Sequence, residues 1–238
     1  MSFFEQLKIV WNYRETLWNS LVYSMTIALT AVVIGFVIGV VVAIVKIAPK
    51  NNVIMKILDK IADVYVTVIR GTPMLVQLIL MYGVVLVSFK YGSNNLIVPI
   101  LTFGINSGAY MAEIIRSGIN SVDVGQMEAG RSLGLNWVST MIHVVIPQAI
   151  KVVIPAIFNE IITLVKETSV VSVITLKVGG KQVYDLFGII SKIQKSNPVC
   201  YVATIIVVAL VYLVIVLILT LIQKLIERKL AKNERQYS

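Results

Sequence analysis

The chain has 238 residues, 58% of them hydrophobic and 14% charged, and a formal net charge of +9. A soluble domain carries about a quarter charged residues. Apolar runs of roughly 18 or more residues recur along this chain, with a mean hydropathy of +0.88. Composition therefore excludes a soluble globular domain and sets one integral membrane domain; the cations flank apolar runs, where they orient spans rather than bind nucleic acid.

Residues 3–18 come first. Phe3, Phe4, Leu7, Val10, Trp11, Leu17 and Trp18 recur near helical spacing with Glu5, Lys8 and Asn12 between them. This predicts an amphipathic helix with aromatic anchors over residues 1–19, lying on the outer surface. Glu5 and Glu15, with no small-residue cleavage site, speak against a cleavable signal peptide.

Five spans are predicted next, at Leu21–Ile47, Ile61–Ser88, Leu96–Ile115, Val152–Leu176 and Val199–Ile222. At about 1.5 Å per residue each can cross a hydrocarbon layer of about 30 Å. All are helices, because lipid offers no partner to a backbone polar group. An odd number of spans separates the termini. With the C-terminus inside, twelve Lys and Arg fall in cytoplasmic segments, Arg235 among them, against seven outside, including Lys90. The N-terminus is then outside, the segment 121–150 is a cytoplasmic loop, and residues 226–238 are a cytoplasmic tail.

Polar stripes run through the spans. In the second, Thr67, Arg70, Met74 and Gln77 share a face; in the third, Thr102, Asn106, Tyr110, Glu113 and Ser117 do. In the fourth, Asn159 and Lys166 are seven apart, as are Glu160 and Glu167, with Thr163 between. Arg70 and Glu160 sit roughly 14 Å from the inner end, near the midplane where transporters bind substrate. Such charges either line a path or pair with one another to hold the bundle, and Glu113 with Arg116 is expected to pair. Arg70-Gly71-Thr72-Pro73 adds a disruption, since Pro73 has no N–H. Gly35-x3-Gly39 and Gly104-x3-Gly108 are patterns for close helix packing.

Enzymatic readings fail. Gly125–Ser132 nearly matches the phosphate-binding pattern GxxxxGK[ST], but Arg131 replaces the Lys and no strand precedes it. His143 is the one histidine and lacks partners for a metal or a triad. Ile105 breaks any GxSG pattern around Asn106-Ser107-Gly108. No catalytic residue and no metal ligand is predicted. Cys200 is the single cysteine and packs in an apolar run.

Gly125–Ile150 reads GQMEAGRSLGLNWVSTMIHVVIPQAI, mixed and small-residue-rich between two apolar segments. Glu128-Ala129-Gly130, then Gly134, Val144, Ile146 and Pro147, resemble the EAA loop of ATP-binding-cassette (ABC) importer permeases. Around it, in order, stand Arg70-Gly71-Thr72-Pro73-Met74-Leu75-Val76-Gln77, Ala112–Ile119, Pro147-Gln148-Ala149, Asn159-Glu160 and Lys166-Glu167-Thr168-Ser169. Over about residues 15 to 225 the chain resembles the polar amino acid permeases of type I ABC importers, the histidine, glutamine, arginine and cystine systems. Gly130 departs from the loop pattern, which has Ala there; by helix propensity it would loosen the helix by up to about 1 kcal/mol.

The resemblance implies an all-α membrane fold of five transmembrane helices, with an external N-terminal interfacial helix, a transmembrane core over 20–225 and a cytoplasmic coupling helix. It implies a bacterial cytoplasmic-membrane permease that dimerises with a second copy or a homologue, docks on two ATPase subunits and receives its amino acid from a solute-binding protein. ATP and Mg belong to the ATPase, and none is expected in this chain. Glu128, Ala129, Gly130 and Gly134 are then the ATPase contact, and Arg70, Thr72, Gln77, Tyr110, Asn159, Glu160, Lys166 and Glu167 the substrate path. Two other readings compete, an ion-coupled secondary transporter and a structural membrane subunit.

Overall fold

The computed structural model describes residues 1–89 and 94–234. Lys90 and Arg235, counted above for orientation, lie outside them. Contacts divide the chain into two units. The first is Met1–Ile34, Thr72–Ile105 and Ile161–Leu219; the second is Gly35–Gly71, Asn106–Glu160 and Thr220–Ser238.

Helix α1, Phe3–Asn12, opens on a capping box: Glu5 N–H donates to Ser2 Oγ at 3.3 Å and Ser2 N–H to Glu5 Oε2 at 2.8 Å. The single helix expected over residues 3–18 is broken at Tyr13, and α2, Arg14–Ile47, starts afresh. Packing causes the break. Val10 is buried in a cluster with Leu186, Ile189, Ile193, Cys200, Ala203 and Val208, and Tyr13 Oη accepts from Asn197 Nδ2 at 3.0 Å. A straight continuation into α2 would pull both residues off those partners.

α2 packs on α5, Ile97–Asn120, through the glycine pairs. In the first unit, a Cβ on Gly104 would lie 2.7 Å from Ile34. In the second, a Cβ on Gly35 would lie 2.7 Å from Ser107, and one on Gly108 2.7 Å from Ile38 and from the Tyr65 hydroxyl. Small residues are present because the backbones touch.

The second predicted span is not one helix. α3, Val53–Gly71, ends before Pro73, and α4, Met74–Phe89, begins after it. Pro73 cannot donate a helical hydrogen bond, and it biases Thr72 towards extended geometry. The freed groups are recovered locally: Val76 and Gln77 N–H donate to Pro73 O at 3.0 and 3.2 Å, and Gln77 Nε2 donates to Thr72 Oγ1 at 2.8 Å. Thr67 and Arg70 therefore share a face of α3, while Met74 and Gln77 belong to a different helix.

Past α5 come α6, Val124–Ser132, and α7, Trp137–Thr140. A π turn, Met141–Val145, leads into α8, Ile146–Glu167, and a 3-10 turn, Thr168–Val173, closes the run. The fourth span, expected to reach Leu176, ends there. A hairpin follows that periodicity does not announce: β1, Leu176–Val178, pairs antiparallel with β2, Lys181–Val183, Leu176 opposite Val183. Its turn puts Gly179 and Gly180 at φ 58° and 77°, which glycine adopts without strain. Next come α9, Ile189–Ser196, and α10, Tyr201–Glu234.

Four helical runs, Arg14–Ile47, Ile97–Asn120, Trp137–Val173 and Pro198–Leu230, are long and apolar enough to cross a bilayer, and the broken pair makes a fifth if it counts as one. The first unit holds a second core, around Ile27, Leu78, Val98, Phe103, Leu164 and Leu176.

Asp185, between the hairpin and α9, is 2% exposed. Its Oδ2 accepts from Phe187 N–H at 3.0 Å and Gly188 N–H at 3.2 Å, turning the chain into α9. Burial nevertheless pushes the carboxyl up, from 3.8 to about 6. A raised carboxyl pKa favours folding only while the group is protonated, so its contribution is full below about pH 4 and lost as pH rises to about 6. The Asp185→Asn variant should match the wild type near pH 4 and exceed its stability at pH 7 by on the order of 3 kcal/mol. Unfolding measured at both pH values checks this; equal differences at both would refute it.

Candidate functional site: a charged network and a helical loop

Within the second unit, charges alternate in sign. Lys46 Nζ of α2 lies 2.5 Å from Asp63 and 3.1 Å from Asp59, both of α3, and Lys50 lies 2.7 Å from Asp59. On α5, Arg116 meets Glu113 at 2.5 and 3.2 Å, the pair expected from their spacing. A cavity of about 160 Å³ is lined by Lys46, Asp63, Val66, Ala112, Glu113 and Arg116. The Lys46 pairs tie α2 to α3, and the longer Arg70–Glu113 pair at 4.0 Å links α3 to α5.

Arg70 stands at the end of this chain. Its guanidinium is 4.0 Å from Glu113, which Arg116 already engages, and lies 5.3 Å from the Tyr110 ring centroid. Four cations face three carboxylates here, so Arg70 is held by a long ion pair and a ring face. It is also the last residue but one of α3, directly before the helix break.

The other predicted path residues fall into separate groups. Thr72 and Gln77 bond each other across the break. Glu160 accepts from Ser107 Oγ at 3.1 Å, and Ser107 is fully buried. Asn159 Oδ1 accepts from Gln223 Nε2 at 3.3 Å. Asn159 and Lys166 are exposed, whereas Glu160 and Glu167 are half-buried, so the seven-residue spacing does sort them onto two faces of α8. Among these residues the structure joins Arg70 with Tyr110 and Thr72 with Gln77. Sequence reasoning missed Ser107 and Gln223 as polar partners of the path, and Lys46 and Asp63 as part of the network. A lone Lys or Asp at the end of an apolar run reads as an interfacial charge until its partner helix is known.

The loop is built from caps. Asp123 Oδ1 accepts from Gly125 N–H at 2.6 Å to open α6, which runs straight through the segment resembling a phosphate loop. α6 closes in a Schellman arrangement: Leu135 N–H donates to Gly130 O at 3.2 Å and Gly134 N–H to Arg131 O at 3.0 Å, with Gly134 at φ 86°. Asn136 Oδ1 then accepts from Ser139 N–H at 2.8 Å and opens α7. Gln148 Nε2 donates to Gln126 Oε1 at 3.2 Å and to Val144 O at 2.9 Å, tying α8 back to α6 across the π turn.

Within this loop Gly130 is buried, and Glu128, Ala129 and Gly134 are exposed. A Cβ on Gly130 would lie 2.5 Å from Thr140 Cγ2. Gly130 thus lets α6 rest on α7, a packing requirement that outweighs the helix-propensity cost read from the sequence. The exposed surface also carries apolar side chains that sequence reasoning passed over: Leu133 is 84% exposed and Val124 70%. Gly130→Ala should lower stability by about 1–3 kcal/mol through this clash, and adding Thr140→Ser, which deletes Cγ2, should recover most of it in thermal unfolding.

Among the described residues, four apolar helices long enough to cross a bilayer, a broken helix pair, a charged network and a capped helical loop are the features of a membrane transport subunit. The chain belongs to the family of binding-protein-dependent transport system inner membrane components, whose pattern matches residues 31–232. It is similar to the arginine transport system permease protein ArtQ of Bacillus subtilis, 36% identical over 174 residues, 73% of this chain and 76% of that one. It is also 36% identical to the L-cystine transport system permease protein TcyB of Bacillus subtilis over 168 residues, 71% of this chain and 68% of that one. A crystal structure of an amino acid ABC transporter with histidines superposes with a TM-score of 0.81 at 36% identity, covering 96% of this chain and 99% of that one. The inward-facing MetNI methionine ABC transporter, at 18% identity and a TM-score of 0.67, shares the fold. This chain is therefore a permease subunit of an ABC importer, a transport component rather than a catalyst.

Proposed function

We propose that the chain forms half of the membrane channel of a polar amino acid importer, beside a second copy or a homologous permease. Its N-terminus is external and its C-terminus cytoplasmic, in the inner membrane of a bacterium. A solute-binding protein delivers the amino acid from outside. Two ATPase subunits dock beneath and hold the ATP and Mg that drive the cycle. ATP binding closes the ATPases and moves the loops, hydrolysis resets them, and the two channel states differ in which partner each favours.

The observation that carries the substrate reading is the position of Arg70. An amino acid zwitterion requires a donor for its carboxylate and an acceptor for its ammonium. Arg70 has donors to spare, since its one carboxylate neighbour is shared with Arg116, and a planar guanidinium suits a carboxylate. Glu160 is the acceptor, poised by Ser107. Thr72, Gln77, Tyr110, Asn159, Lys166 and Glu167 line the path between delivery and release. Arg70→Gln and Glu160→Gln should each reduce amino acid uptake in reconstituted vesicles at least about tenfold, with folding retained. Normal uptake and normal ligand-stimulated ATP hydrolysis in both would refute the pocket.

The docking reading rests on the exposed face of α6. Glu128, Ala129 and Gly134 are exposed there, and so is Leu133, an apolar side chain in a polar loop that is 84% exposed. Gly130 holds that surface in shape from beneath. Leu133→Asp and Glu128→Lys should abolish copurification of the ATPase while leaving the unfolding temperature of the permease unchanged. An ATPase that still copurifies with the double variant would overturn this assignment.

A further inference from the structure

The N-terminal segment of the first unit contains an amphipathic slot whose lining shares no residue with the proposed amino acid path. An apolar groove of about 480 Å³ is walled by Leu7, Val10 and Trp11 of α1, Leu17 and Leu21 of α2, and Val207 and Val211 of α10. A polar recess of about 460 Å³ is lined by Arg14, Glu15, Trp18 and Asn19. Arg14 and Trp18 line both, so the polar recess abuts the apolar groove. α1 is pinned by buried Val10 and by the Tyr13–Asn197 hydrogen bond, which makes the groove a fixed feature rather than a gap under a loose segment.

Both charges at the mouth are available. Arg14 and Glu15 are exposed, and neither makes an ion pair among the described residues. As consecutive helical residues they point about 100° apart, so they do not neutralise each other. Trp11 and Trp18 are 68% and 65% exposed. Indole rings favour the level of lipid headgroups, with the ring body in apolar surroundings and the N–H in the polar zone. An apolar trough ending in one cation, one anion and indole donors matches a molecule with a hydrocarbon chain and a zwitterionic head.

We propose that this slot binds one glycerophospholipid with an ethanolamine headgroup. One acyl chain lies in the groove, the phosphate accepts from Arg14, and the ammonium donates to Glu15. A choline head lacks N–H donors for Glu15, and a glycerol head lacks the positive charge. Hydrogen bonding to Glu15 thus selects ethanolamine over choline, and charge complementarity selects it over glycerol. The site is independent of the amino acid path, so a failed uptake experiment leaves it standing.

Native mass spectrometry of the full chain, purified in mild detergent and exposed to an equimolar mixture of phosphatidylethanolamine, phosphatidylcholine and phosphatidylglycerol with matched tails, tests this. One phosphatidylethanolamine should be retained per chain in preference to the others. Arg14→Gln should reduce retention of all three about tenfold, the value of one charge-assisted contact. Glu15→Gln should abolish the preference for ethanolamine over choline while retention persists. Val211→Trp should fill the groove and exclude lipid with Arg14 intact. Retention of the three lipids in bulk proportion by wild type and Arg14→Gln alike would show an ordinary lipid shell and overturn the proposal. So would a preference for phosphatidylglycerol, or no retained lipid.

Discussion

A backbone inside lipid has no water to bond, and this constraint decides how the chain is allowed to stop being a helix. Each interruption carries its own polar partner. At the break before Pro73, Gln77 reaches back to Thr72. At the π turn before α8, Gln148 donates to Val144 O. These side chains permit irregular backbone where a continuous helix would otherwise be obligatory. The interruption before Pro73 lies beside Arg70, and the one before α8 adjoins the loop, so both sit at defects in regular structure and at the groups that repair them.

Charge obeys the same economy. Lys46, Lys50, Asp59, Asp63, Glu113 and Arg116 form a series of three cations and three carboxylates in which each sign has a neighbour of the other. The series lies on three helices. Arg70 exceeds it by one positive charge and leans on the Tyr110 ring instead. The network thus contains charges fixed by one another and one cation held by a long ion pair and a ring face. Spacing along one helix does not separate the two kinds, because the partner that does so, Glu113 for Arg70 or Ser107 for Glu160, comes from another helix.

The glycines separate likewise into two physical roles. Gly35, Gly104, Gly108 and Gly130 are places where a Cβ would strike a neighbour. Gly134, Gly179 and Gly180 are places where the backbone turns to positive φ. In Gly35-x3-Gly39 and Gly104-x3-Gly108 the four-residue repeat signals packing in the sequence itself. Gly130 reads from the sequence as a weakened helix, and its tertiary neighbour Thr140 shows it as a contact point.

The sequence by itself determined the membrane class and its long apolar helices, because lipid thickness and backbone satisfaction tie long apolar runs to helices without reference to any partner, and the order of its motifs determined the family. The interruption at Gly71–Pro73 was also legible, since proline's missing N–H is a local property. Only the tertiary structure decided that the break divides the second passage into two helices, that the N-terminal helix ends at Tyr13, that a hairpin and α9 follow the fourth passage, and which polar residues meet. Those outcomes depend on contacts between residues far apart in the chain, such as Tyr13 with Asn197 and Ser107 with Glu160. A local pattern carries the period of an element, whereas the place where it stops and the group it meets are set by what packs against it.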